Sequence, residues 1–503
     1  MATRKIARGT DTQALHLVEA SALEAEARDG FEKLLAYVRG EAQSEELHAV
    51  ERGIFVQLLS LGLILLRMFL AERGTGKLST GKVMTREGTE LRYHSTKRAT
   101  YFSIFGTVVM ERAYYWDLGE EGVCPLDAVL NVPERRYSRL LQEWGALIGV
   151  GRAFEQVTKQ IETWLRVKLW NQAVQLTMRD AAESVDEFYE ERPAPAPKTE
   201  AEFLVAEVDG KGVPIRREAQ AKKLRLAKGE KPNKKKEAVA YSVFTIDRFE
   251  RTADDIVREV RDDATIVEPE ERPERPKPVN KHTRATLRGR EVAFQEVKRL
   301  LDERDPSRKK QRLLLMDGSE DLQKWARRYL PGCLLILDVW HVLVYLWAAS
   351  LAFHTEGSAE SARWVMRKLK LILEGKVGYV IGDLRRKLAE GKFSNWQRLG
   401  LANAIRYMTK NRQFMRYDEY IARGYPIGSG VIEGACRHLV KDRMECTGMR
   451  WSIDGAQAVL DLRAVEINGD WASFWDYRAK RESDALYAHL DIEDLARAQK
   501  CAA

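Results

Sequence analysis

The sequence is poor in the residues that build disulfide or soft-metal frameworks, with five cysteines and eight histidines among 503 residues. Cys124, Cys333, Cys436, Cys446 and Cys501 form no CxxC pair and no zinc-site spacing, which fits a reducing, cytoplasmic compartment. The opening MATRKIARGTDTQ lacks an apolar segment and a small-residue cleavage pattern, so no secretory signal is expected. Internal repeats are missing too. Only residues 53–71, GIFVQLLSLGLILLRMFLA, raise the question of a membrane span. Gln57, Ser60 and Arg67 within it, and Glu51, Arg52, Glu72 and Arg73 at its ends, argue instead for a buried or oligomerising helix and no membrane partner.

What is present is an ordinary globular composition, 45% hydrophobic and 31% charged, enough to build a large core. The length suggests roughly three structural units at about 150 residues each. The net charge of +8 favours an anionic partner, although many basic proteins bind none in particular.

Apolar periodicity divides the chain into five stretches. Residues 1–90 form an N-terminal helical region. Residues 91–192 hold a β-hairpin at 98–116, broken at Phe105-Gly106, and helices over 153–189 that could include a DNA-docking helix-turn-helix; a plain structural hairpin is the simpler reading. The run PAPAP at 193–197 marks a boundary. Residues 200–353 alternate strands (203–208, 238–246, 312–316, 333–337) with helices, the signature of a mixed α/β core, and 267–281 reads as a charged, Pro-rich linker. Residues 354–424 read as all-α. Residues 425–503 carry a helix over 433–444 and further C-terminal helices.

Two strands end alike, in Val208-Asp209-Gly210 and Met316-Asp317-Gly318, and carboxylates at neighbouring strand ends can hold Mg²⁺ through hard oxygen ligands. Asp-Gly is also a common turn dipeptide, so two ordinary turns are the plain alternative. A third carboxylate, Glu433, falls in the first turn of the helix that follows GYPIGSG, where capping would be its plain role. Arg437 and Lys441 fall at i+4 and i+8 from it, and His438, Arg443 and Arg450 cluster nearby, as expected of a helix lying against phosphates. The basic loop 216–236, with Lys222, Lys223, Arg225, Lys234, Lys235 and Lys236, emerges beside Asp209 and suits the same backbone contact; a solvated hairpin is its other reading. Asp338 and His341 stand three apart at a strand-to-helix junction, which suits a supporting role beside a metal. Asp338 also follows a strand and competes with Asp317 for the second metal-ligand position. Asp247, Asp442 and Glu445 are weaker rivals.

Together VDGKGVP (208–214), MDGSEDLQKWARRYLPG (316–332), DVWH (338–341) and YPIGSGVIEGACRHLVKDRM (425–444) resemble the DDE transposases of bacterial insertion sequences, of the Kra-type family allied to Mutator-like and hAT elements. The resemblance implies a ribonuclease H-like α/β core with an all-α insertion before the Glu-bearing helix. It implies that Asp209, Asp317 and Glu433 are the catalytic metal ligands, with Asp338 and His341 as the [C/D]xxH element. Two Mg²⁺ ions, replaceable by Mn²⁺, would serve cleavage and joining of double-stranded DNA at element ends and target, by a homodimer or higher oligomer acting at the nucleoid. A catalytically inactive DNA-binding derivative and a structure-selective nuclease are the alternatives.

Overall fold

The computed structural model describes residues 7–216, 235–261, 274–446 and 448–502. Two compact units emerge, one from Met1–Ser184 with Trp471–Ala503, the other from Val185–Asp470. The break falls at Ser184/Val185, a few residues before the proline run, and Trp471–Ala503 joins the N-terminal unit instead of extending the stretch that begins at 425.

In the first unit, α1 (Ala7–Arg39) and α2 (Leu47–Arg73) pack as a helical hairpin through Ala20, Leu23, Ile64, Met68 and Ala71. The α2 helix is long and apolar enough to cross a membrane, yet only 6% of its most apolar window is buried, so of the two expectations, a buried or an oligomerising helix, the buried one does not hold. A three-stranded antiparallel sheet follows, β1 (Lys82–Met84), β2 (Glu90–Ser103) and β3 (Gly106–Trp116), its core shared with Leu490 and Leu495 from the C-terminal end. Three mutually packed helices follow, α3 (Arg139–Gly151), α4 (Phe154–Leu165) and α5 (Asn171–Ala182), and the helices Trp471–Tyr487 and Ile492–Ala502 belong to the same unit.

The second unit is built on a five-stranded mixed sheet. Its central strand β4 (Phe203–Pro214) pairs along its whole length with antiparallel β5 (Lys235–Ile246), and β6 (Val279–Thr286) adds to β5. On the other side β7 (Arg312–Met316) runs parallel to β4, and β8 (Leu334–Leu337) parallel to β7, giving the order β6-β5-β4-β7-β8. Residues 203–208 of β4 are all buried because helices cover both faces, the pattern of a central strand. Leu204, Ala206 and Val208 face the helix α6 (Arg290–Arg304) and α7 (Glu320–Tyr329). Phe203 and Val205 face the opposite side, against α8 (Val339–Ser350) and the helical stretch α9 (Ala359–Leu373), α10 (Val377–Glu390) and α11 (Asn395–Asn411).

Two sequence expectations need correction. Asp209 lies inside β4, which continues to Pro214, and not at a strand end; what ends near it is the parallel neighbour β7. Residues 279–281, expected in a linker, begin β6, whose polar side chains Thr283 and Arg284 are buried with partners Ser242 and Asp186.

Candidate metal centre

The three strand-borne aspartates share one level of the sheet. The β4–β7 pairing sets Glu207 beside Leu315, so two further residues bring Asp209 level with Asp317. The β7–β8 pairing sets Met316 beside Leu337, so one more step brings Asp317 level with Asp338. The Asp338 amide donates to the Met316 carbonyl at 2.9 Å, which carries that register past the end of β8. Side chains alternate along a strand, so Glu207 and Asp209 share the face of Phe203 and Val205, the side covered by α8. The ends of β7 and β8, level with the middle of the longer β4, thus leave a row of carboxylates across the sheet.

The fourth carboxylate arrives on α12 (Gly430–Ala435), which runs on through a π-helical turn, Cys436–Lys441. Each part of this helix is tied to the sheet. The Asp338 carboxylate accepts from the Ser429 amide at 3.3 Å and from the Ser429 hydroxyl, and its Oδ1 also accepts from the Trp340 amide at 3.0 Å, capping α8. Glu207 Oε2 accepts from the Ile432 amide at 2.6 Å, one residue before Glu433. The Cys436 thiol donates to Asp209 Oδ2 at 3.3 Å. Burial followed by the Asp209 charge pushes that thiol far up, so it stays a protonated donor.

Asp338, His341 and Glu433 each offer one ligand atom within 4.8 Å of the others, a group able to hold a metal ion. His341 Nε2 lies 3.9 Å from Asp338 Oδ2. The electrostatics are those of acids gathered without counter-charge. Desolvation, then the charges of Asp338 and Asp209, raise the Glu433 carboxyl, and only His341 opposes them. Burial raises Asp338 against its hydrogen bonds from Ser429 and Trp340. Burial pushes Glu207 up to about 8, with Asp338 and Glu433 adding to the effect, so near neutral pH it is mostly an uncharged acid. Among the described residues no lysine or arginine pairs with Asp209, Asp317, Asp338 or Glu433. Hard carboxylate oxygens with one imidazole and surplus negative charge fit a divalent cation of the Mg²⁺ or Mn²⁺ kind.

The remaining candidates divide by position. Asp209 and Asp317, expected to share the metal with Glu433, are both half-buried and lie outside the 4.8 Å group; the Asp317 Oδ1 accepts from the Ser319 amide at 2.7 Å and its carbonyl from the Tyr407 hydroxyl at 2.8 Å. Asp247 belongs to the wrong end of the hairpin, beside Glu202, whose amide it accepts at 3.1 Å. Asp442 and Glu445 are engaged elsewhere, by His438 at 3.0 Å and by Lys235 at 2.5 Å. Arg437, Lys441 and Arg450 are exposed and available to an anionic ligand, His438 is exposed but held by Asp442, and Lys236 is half-buried. Arg443 is not available: it is 1% exposed, its guanidinium stacked 4.7 Å from the Trp451 ring, and burial lowers it to about 10. Lys222, Lys223, Arg225 and Lys234 lie outside the described residues. The π-turn also breaks the simple i+4, i+8 alignment of Arg437 and Lys441 with Glu433, because each turn there holds an extra residue.

Sequence reasoning missed Glu207, the thiol contact of Cys436, and the contact of Ser429, within GYPIGSG, with Asp338. The signal for Glu207 was a charge inside FLVAEV, on the same strand face as Asp209. A scan against protein-family models gives no match, and neither does a search of curated proteins.

Proposed function

We propose that this chain is a DDE-type DNA transposase that cleaves and joins DNA strands with divalent metal ions. The observation that carries the reading is the docking of Glu433 over a row of three strand-borne aspartates, through contacts from Glu207, Asp338 and Asp209 to its helix. A five-stranded mixed sheet with acids at the ends of its parallel strands is compatible with the ribonuclease H-like core that the sequence resemblance implies. The exposed basic residues beside the acids supply a surface for the DNA backbone.

In this reading Asp209, Asp317 and Glu433 would hold the metal, as the resemblance implies, with Asp338 and His341 gathered beside Glu433; the buried Asp338 also fixes His341 and the start of the Glu433 helix. Bound there, the cation activates the attacking water or 3′-hydroxyl and stabilises the leaving oxygen. The protein's own part is positioning. Asp338 has both oxygens committed to Ser429 and Trp340 and is fully buried, which makes it a rigid support. Arg437, Lys441 and Arg450 neutralise phosphates flanking the cleaved bond.

The test is Glu433→Gln in the full chain. Strand cleavage with Mg²⁺ on DNA flanking the coding region should fall at least 100-fold, with melting and DNA binding unchanged. A capping residue would lose about 1 kcal/mol of stability and no chemistry. Cutting without joining would instead support the nuclease reading, and binding without cutting by the wild type an inactive derivative.

A further inference from the structure

The α2 helix leaves an apolar row uncovered that the metal centre does not use. Phe55, Leu58, Leu65 and Phe69 are 47%, 47%, 45% and 45% exposed. With Gly62 at the middle they follow alternating three- and four-residue steps, the spacing of a helix–helix seam. Gly62 leaves room for the hairpin tip: a side chain there would meet the Phe105 ring at 2.6 Å, so Phe105 fills the gap in the row. The α1 helix occupies a different face, at Ile64, Met68 and Ala71.

We infer that this row is a self-complementary interface on which a second copy of the chain packs its own α2, antiparallel, about a two-fold axis near Gly62. The row reads almost the same in both directions. Antiparallel pairing sets Phe55 against Phe69 and Leu58 against Leu65 of the second copy. The same alignment sets Glu51 against Arg73 and Arg52 against Glu72, four charges that make no ion pair within the described part of the chain. Parallel pairing would stack like charges on like. Isologous contacts of this kind are what a two-fold dimer requires. A 27-residue helix is about 40 Å long and 10–12 Å wide, so two side by side cover on the order of 900 Å², the size of a weak, concentration-dependent association. The ends carry charge and Arg67 is exposed within the span, which disfavours a lipid surface as the occupant.

Sedimentation equilibrium of the full chain without DNA tests this independently of any chemistry. The wild type should be a dimer at micromolar concentration. Leu58→Glu with Leu65→Glu should give a monomer with an unchanged melt. Because core-adjacent charges could unfold the hairpin, a second set acts only on the charged helix ends, where Glu51, Arg52 and Glu72 are exposed and Arg73 is half-buried. Glu51→Arg with Arg52→Glu should weaken the dimer at least 10-fold, and adding Glu72→Arg with Arg73→Glu should restore it. Cross-linking through Leu58→Cys plus Leu65→Cys, mapped by mass spectrometry, should join position 58 to position 65 between copies. A wild-type monomer at all concentrations, binding to phosphatidylcholine vesicles in place of dimerisation, charge swaps without effect, or a 58-to-58 cross-link would each overturn the proposal. None of these outcomes bears on DNA cleavage, so the two readings fail separately.

Discussion

Glu207→Gln removes one ionisable group from the sheet while keeping its shape and an oxygen for the Ile432 amide. The carboxyl of Glu207 is raised from its ordinary 4.5 to about 8 by burial. A carboxyl whose folded-state pKa is raised contributes its full share of stability below pH 4.5, and loses it as pH climbs through the window from 4.5 to 8. The loss runs at about 1.4 kcal/mol per pH unit and totals roughly 5 kcal/mol at most. Glutamine has no such window. Urea unfolding of both proteins in EDTA, at pH 4.5, 6, 7.5 and 9, should give near-equal stabilities at the acid end, with the variant ahead by several kcal/mol at pH 9. Comparing the two proteins cancels every other titrating group. Parallel curves for wild type and variant would refute the buried, neutral state of Glu207.

Four further outcomes follow from the contacts of the site and its helix. Ser429→Ala should cost about 1–3 kcal/mol, because Asp338 is left buried with fewer donors, and should lower cleavage more than DNA affinity. Arg443→Ala should cost about 2–4 kcal/mol through lost packing on Trp451, seen in a thermal melt. Arg437→Ala, Lys441→Ala and Arg450→Ala should leave the melt unchanged while weakening DNA binding and flattening its salt dependence; an unchanged slope would remove them from the DNA surface. Asp317→Asn should abolish cleavage without destabilising the fold, whereas Asp338→Asn should lower the melting temperature as well, since only Asp338 is buried with both oxygens engaged.

Much of the second unit was legible because its strands are short apolar runs with clear ends. The run at 312–316 coincides with β7, and residues 203–208 lie within β4. The extent of β4 was hidden by GKGVP, which reads as a turn. Gly210 pairs with Val239 of β5 in regular register, so the glycine marks no reversal. The β6 strand was hidden because VNKHTRAT is polar; its buried Thr283 and Arg284 find partners only through tertiary contacts that no local pattern reveals. At the site, Asp209, Asp317, Asp338, His341 and Glu433 all carried motif signals. Glu207 did not, and Ser429 and Cys436, although inside the 425–444 motif, gave no sign of their partners, since these roles come from hydrogen bonds spanning 225, 91 and 227 residues of sequence.

The most direct measurement is strand transfer by the purified full chain, with Mg²⁺, from linear DNA carrying the sequences that flank its coding region into a supercoiled plasmid. Sequencing of the products should show 3′ ends joined to plasmid DNA in the presence of Mg²⁺, with none in EDTA and none for Asp209→Asn. Joining that persists without a divalent cation, or that survives loss of the Asp209 charge, would contradict the assignment of this row of carboxylates as the catalytic centre.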